Sequence, residues 1–131
     1  MPKILQLIYT SVLSPSSSIS EVSSIIRTSR TRNFSFGITG VLLFDGQQFC
    51  QYIEGEPNQV NTLSENIKKD SRNDDFKVLY SNTVEDMRRF SNWRAGYPME
   101  CSPEYMSKII SNPRNSVLIN FLQMTTSFDL V

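Results

Sequence analysis

Residues 38–54 constrain the fold of this chain most, because two apolar runs, ITGVLLF and QFCQYIE, flank the dipeptide Asp45-Gly46. That pair suits the positive φ angles of a tight turn, so the segment is predicted to be a β-hairpin. One residue in it is out of character. Strand side chains alternate between faces, so Gln51 points where Phe49 and Ile53 point, while Cys50, Tyr52 and Glu54 point the other way. If the first face is the core, the amide of Gln51 needs partners, since an unpaired buried polar group costs on the order of 1–3 kcal/mol. Something polar must meet it there.

The rest of the chain reads as elements that could enclose this hairpin. KILQLIY, Lys3 to Tyr9, is a strand, and TSVLSPSS a polar loop after it. Ser18 and Glu21 have the spacing of a capping box and open a helix with Ile19, Val22, Ile25 and Ile26 that ends near Asn33. Pro57 starts a second helix with Val60, Leu63 and Ile67 on one face. DFKVLYSNTV is a further strand and WRAGYPM a short last one. This order predicts an α+β, ferredoxin-like βαββαβ(β) mixed sheet with two helices on one face. The segments SPEYMSKIISN and SVLINFLQMTTSF are expected to be C-terminal helices covering the other face or meeting a partner subunit. The domain division is therefore 1–100 for the core and 101–131 for the extension.

Composition narrows the function. The 131 residues carry 13 Lys plus Arg against 13 Asp plus Glu, which gives no electrostatic reason to expect nucleic acid or a membrane surface as partner. No apolar segment approaches the roughly 20 residues of a membrane span, and the N-terminus lacks a signal-peptide cleavage site, so the chain reads as cytoplasmic. Cys50 and Cys101 lie far apart without metal-ligand spacing and read as reduced thiols. There is no histidine, which removes Ser-His and Cys-His dyads and most zinc sites and argues against an enzyme.

In the predicted fold the first and third strands are central neighbours, which brings Tyr9 near Gln51. Ile25, Ser29, Arg32 and Asn33 share a stripe of the first helix, and Asn66 and Asp70 form an i,i+4 pair beside Ile67 on the second. The product is an apolar slot between Ile25 and Ile67 with a polar wall of Tyr9, Asn33 and Gln51. It is either a core with a few satisfied polar groups or a site for a flat heteroaromatic ligand with carbonyl and ring-nitrogen edges.

Tyr9, the Arg32-Asn33 pair, GITGVLLFDGQQFCQYIEG, IKKDSRN and RRFSNW together resemble the BLUF family of blue-light sensors using FAD, over residues 3 to about 97. The resemblance implies noncovalent FAD, with FMN or riboflavin as possible substitutes, held between the two helices by Ile25 and Ile67. It implies that Asn33 bonds the pyrimidine side of the flavin, that Gln51 bridges Tyr9 and the N5/O4 edge, and that Ser29 and Arg32 line the polar rim. Asn66, Asp70 and Arg72 fall toward the ribityl and diphosphate region. Asn66 and Asn73 stand where some relatives carry a basic side chain or histidine. Tyr9, Gln51 and Trp93 are the implied photoactive residues: Tyr9 gives an electron and a proton to the excited flavin, and Gln51 is left rearranged. Ala95 stands where many relatives have methionine. Output is expected to run through the C-terminal helices to a protein partner or a homo-oligomer. The alternative from the residues alone is a ferredoxin-like small-molecule-binding or assembly module without photochemistry, and a small enzyme of that fold is a third.

Overall fold

A computed structural model describes residues 3–85 and, for the backbone, 93–96. The elements are β1 (Lys3–Leu13), α1 (Ile19–Ser35), β2 (Thr39–Phe44), β3 (Gln48–Gly55), α2 (Pro57–Lys69), β4 (Asn73–Glu85) and β5 (Trp93–Gly96). They build the ferredoxin-like sheet expected from the sequence, in the order β4-β1-β3-β2-β5, antiparallel except that β5 runs parallel to β2. The expected C-terminal helices of 101–131 lie outside the described residues.

Local chemistry explains the boundaries. Glu21 accepts a hydrogen bond from the Ser18 N–H at 3.3 Å, and Glu56 accepts one from the Gln59 N–H at 3.0 Å ahead of Pro57, so a carboxylate satisfies an early backbone donor of each helix. In the hairpin turn only Gly46 takes a positive φ, +104°. Asp45 acts instead through Oδ1, which accepts from the N–H groups of Gln47 and Gln48 at 2.9 and 2.7 Å. Gly40 is required for a different reason, since a Cβ there would come within 2.0 Å of the Tyr52 carbonyl oxygen.

One boundary departs from the sequence reading. β1 continues through Thr10–Leu13, where a polar loop was predicted, because a central strand is paired on both sides: Thr10 with Cys50 and Lys77, Val12 with Gln48 and Asp74. Neighbouring strands override the polar character of TSVL. β4 is shifted twice against β1, between Ile8 and Tyr9 and again between Thr10 and Val12. The second shift contains Asp75, whose φ of +54° is one that a short polar side chain tolerates.

Both helices lie on the face that carries Leu5, Leu7, Tyr9, Gln51 and Ile53. α2 packs Val60, Leu63 and Ile67 onto Leu5, Leu7, Ile38 and Ile53, while α1 packs Val22, Ile25 and Ile26 onto Leu42, Phe44 and Phe49. The core is therefore in two parts. Between them the sheet floor lies under a gap bounded by α1 and α2, and that gap holds the site. The opposite face is also buried, with Ile8, Val41, Leu43, Cys50, Tyr52 and Glu54 at or near zero exposure. There the Tyr52 hydroxyl donates to Glu54 Oε1 at 2.8 Å.

Candidate functional site

The floor of the gap is a single row across the central strands. Tyr9 on β1 is directly opposite Gln51 on β3, which in turn is opposite Leu42 on β2, and the backbone of Ala95 on β5 continues the row beside Leu42. Directly opposed residues share a face, so the register alone brings Tyr9 to Gln51. The Tyr9 hydroxyl donates to Gln51 Oε1. This is the polar partner that the buried glutamine required.

The cleft above that row is lined by Tyr9, Leu42, Phe49 and Gln51 from the sheet, by Ile25, Thr28, Ser29 and Arg32 from α1, and by Ile67, Asp70, Arg72 and Asn73 from α2 and its exit. The space between these side chains is about 390 Å³ when the solvent at its open mouth is included. Ile25 and Ile67 face it from the two helices, as the spacing predicted.

Two buried donors aimed at this region have no acceptor among the described residues: Gln51 Nε2 and Arg32 Nε. Such groups are costly unless a ligand or water completes them. Burial, chiefly, pushes the Tyr9 phenol above its usual range, with Cys50 adding to the rise and Arg32 opposing it. Burial also lowers the Arg32 guanidinium from its ordinary value, against the pull of Tyr9 and Asp70. At the far end Asp70 grips Arg72: Nη2 donates to Oδ2 at 2.6 Å, and Nε to Oδ1 and Oδ2 at 3.0 and 3.2 Å. Those bonds hold the Asp70 carboxyl below the ordinary carboxylate value and raise Arg72.

The remaining residues singled out in the sequence are placed differently. Asn33 is fully buried at the end of α1, and its backbone carbonyl accepts from the Phe36 and Ile38 N–H groups. Asn66 is exposed on α2 and does not line the cleft. Trp93 is described by its backbone, which is paired with Gly40 at the start of β5. Thr28, Leu42 and Phe49 line the cleft without having been assigned a ligand role from sequence. Thr28 stands three residues after Ile25 on the same helical stripe, and Leu42 is opposite Gln51 once the hairpin register is known, so both signals were available.

A model of the family "Sensors of blue-light using FAD" (BLUF) matches residues 4–96. The chain belongs to the BLUF family. Its function is accordingly that of a blue-light, flavin-binding sensor, and the sheet with its two helices is the BLUF fold. A BLUF protein, BlrB, in its dark-state structure superposes with a TM-score of 0.78 at 25% identity, covering 95% of this chain and 96% of that one. A bacterial light-regulated adenylyl cyclase superposes with a TM-score of 0.68 at 28% identity over 94% of this chain. The blue light- and temperature-regulated antirepressor BluF of Escherichia coli (strain K12) is 32% identical over 66 residues, half of this chain. The match spans 16% of the antirepressor, and this chain spans 34% of the cyclase.

The site fits a flavin. Its ring system presents acceptors at its polar edge, which the Gln51 Nε2 and Arg32 Nε donors lack, and flat apolar faces, for which Ile25 and Ile67 offer apolar contact. Among the described residues no helix is long and apolar enough to cross a membrane.

Proposed function

We propose that this BLUF chain senses blue light through Tyr9 and Gln51, with FAD as its flavin and FMN or riboflavin as possible substitutes. The observation that carries the reading is the state of the Gln51 amide. Its oxygen takes the Tyr9 proton donor while its nitrogen, buried, has no acceptor among the described residues. A bound flavin supplies the absorption of blue light and an excited state able to take up an electron and a proton.

Tyr9 is suited to deliver both together. Burial holds its phenol protonated far above neutral pH, so the donor still carries its proton when the electron is taken. The phenolic hydrogen already points along the bond to Gln51 Oε1, which makes the amide the group that moves it. When the proton returns, Gln51 is held in a different hydrogen-bonded arrangement, and that rearrangement is the signal. Arg32 and Ser29 border the polar rim, Ile25 and Ile67 hold the ring, Asn33 bonds its pyrimidine side, and Trp93 joins Tyr9 and Gln51 as the third photoactive residue. The Asp70–Arg72 pair stands toward the ribityl and phosphate end.

The chain in this reading is a cytoplasmic sensor rather than an enzyme. Its output passes through residues 101–131 to a protein partner or a second copy of the chain. The test is optical: the chain purified with flavin is expected to be yellow, and its absorption to shift reversibly to the red under blue light. A chain that takes up no flavin, or whose spectrum ignores blue light, would overturn the proposal.

A further inference from the structure

β4 carries a residue for which β1 has no counterpart. Ile8 pairs with Tyr80 and Tyr9 with Val78, so Leu79 between them is extra. Because side chains alternate along a strand, one extra residue exchanges the two faces over the stretch that follows, until the second shift between Thr10 and Val12 exchanges them again. On one side of this bulge β4 is in phase with the face opposite the helices, where the Tyr80 hydroxyl reaches Gln6 Oε1 at 3.5 Å. On the other side Val78 is opposite Tyr9, and Phe76 follows on the same face. Had the register of Ile8 and Tyr80 continued unbroken, Leu79 would oppose Tyr9 and Phe76 would point away from the helices.

Phe76 instead stacks on Tyr9, with ring centroids 4.9 Å apart and planes 27° apart, and packs against the cluster of Leu5, Leu7 and Ile67. The phenol therefore has Phe76 beside its ring and Gln51 at its hydroxyl. Phe76 does not line the cleft.

We propose that Phe76, carried to the helix side by the bulge at Leu79, is a positioning residue that keeps the Tyr9 hydroxyl directed at Gln51. The inference rests on the reading of Tyr9 and Gln51 as the photoactive pair. A tyrosine ring turns in a broad torsional well, whereas the hydrogen bond to Oε1 needs one orientation. A stacked neighbour narrows that choice. Removing it leaves the phenol in place by burial but changes the share of rings aimed at the amide.

The test uses the full chain loaded with FAD and compares Phe76→Leu and Phe76→Tyr with the wild type for flavin affinity, yield of the red-shifted state per absorbed photon and dark-recovery time. Phe76→Leu is expected to bind flavin within about twofold of wild type while its yield or recovery time changes by about three- to tenfold, as loss of an aromatic pair implies. Phe76→Tyr is expected to restore both. Should the leucine variant not fold, Phe76→Met takes its place. A lower melting temperature with unchanged photocycle would make Phe76 ordinary core and overturn the proposal, as would a loss of flavin affinity equal to the loss of yield. A wild-type chain that binds flavin without any light-driven shift would overturn the photochemical reading itself, and this inference with it.

Discussion

Tyr9 and Gln51 are directly opposed residues on two antiparallel strands, 42 positions apart in sequence, and the phenol of one donates to the amide oxygen of the other in the interior. Tyr9→Phe keeps the ring and its stacking on Phe76 but removes the donor and the transferable proton. The variant is expected to retain flavin and lose the reversible red shift. Difference spectra before and after blue light check it, and a normal photocycle would remove Tyr9 from the mechanism.

Gln51→Leu replaces the amide with a group of similar size that neither donates nor accepts. The Tyr9 hydroxyl then loses its acceptor in a buried place, a cost of about 1–3 kcal/mol that a thermal melt would register. The protein is expected to stay yellow and photochemically silent. Continued switching would make the glutamine structural.

Asp70→Asn tests the pair at the end of α2. The Asp70 carboxyl is held below its ordinary 3.8 by the Arg72 hydrogen bonds, so the stabilisation it supplies is fully present above that value and is lost as pH falls toward the depressed one. Wild type should exceed the variant by on the order of 1 kcal/mol at pH 7, with the gap closing below about pH 4. Denaturant melts across pH decide it. A gap that widens on acidification would contradict the assignment.

Ending the chain after Ser102 addresses output. Tyr9, Asn33 and Gln51 all precede that point, so flavin binding and the red shift should survive, while any light-dependent change in association should disappear. Segments carrying Ile109, Ile110, Val117, Leu118, Phe121 and Leu122 would be removed. Size-exclusion chromatography in dark and light, on both lengths, measures it. The same light response in both would rule out the extension as the output element.

Much of this site was legible because it depends on short-range rules. Alternation put Gln51 with Phe49 and Ile53, helical spacing put Ile25, Ser29 and Arg32 on one stripe and Val60, Leu63 and Ile67 on another, and the order of elements made β1 and β3 neighbours. Asn66 shows where spacing is insufficient. It follows Leu63 by three positions and precedes Asp70 by four, yet it turns to solvent, because a stripe about 100° wide includes positions at its edge that packing alone assigns to cleft or water.

What the amino-acid order determined by itself was therefore the set of elements, their buried faces and the meeting of Tyr9 with Gln51. What the tertiary structure decided was the pairing of β1 with β4. In FKVLYSN, strict alternation puts Phe76, Val78 and Tyr80 on one face, but the folded sheet divides them at Leu79, so Phe76 meets Tyr9 while Tyr80 reaches Gln6. The extension of β1 through Thr10–Leu13 was decided in the same way. The physical reason is common to both. Strand length and register are set by hydrogen bonds to a neighbouring strand distant in sequence, and neither strand encodes alone where a one-residue bulge will relieve the fit between them.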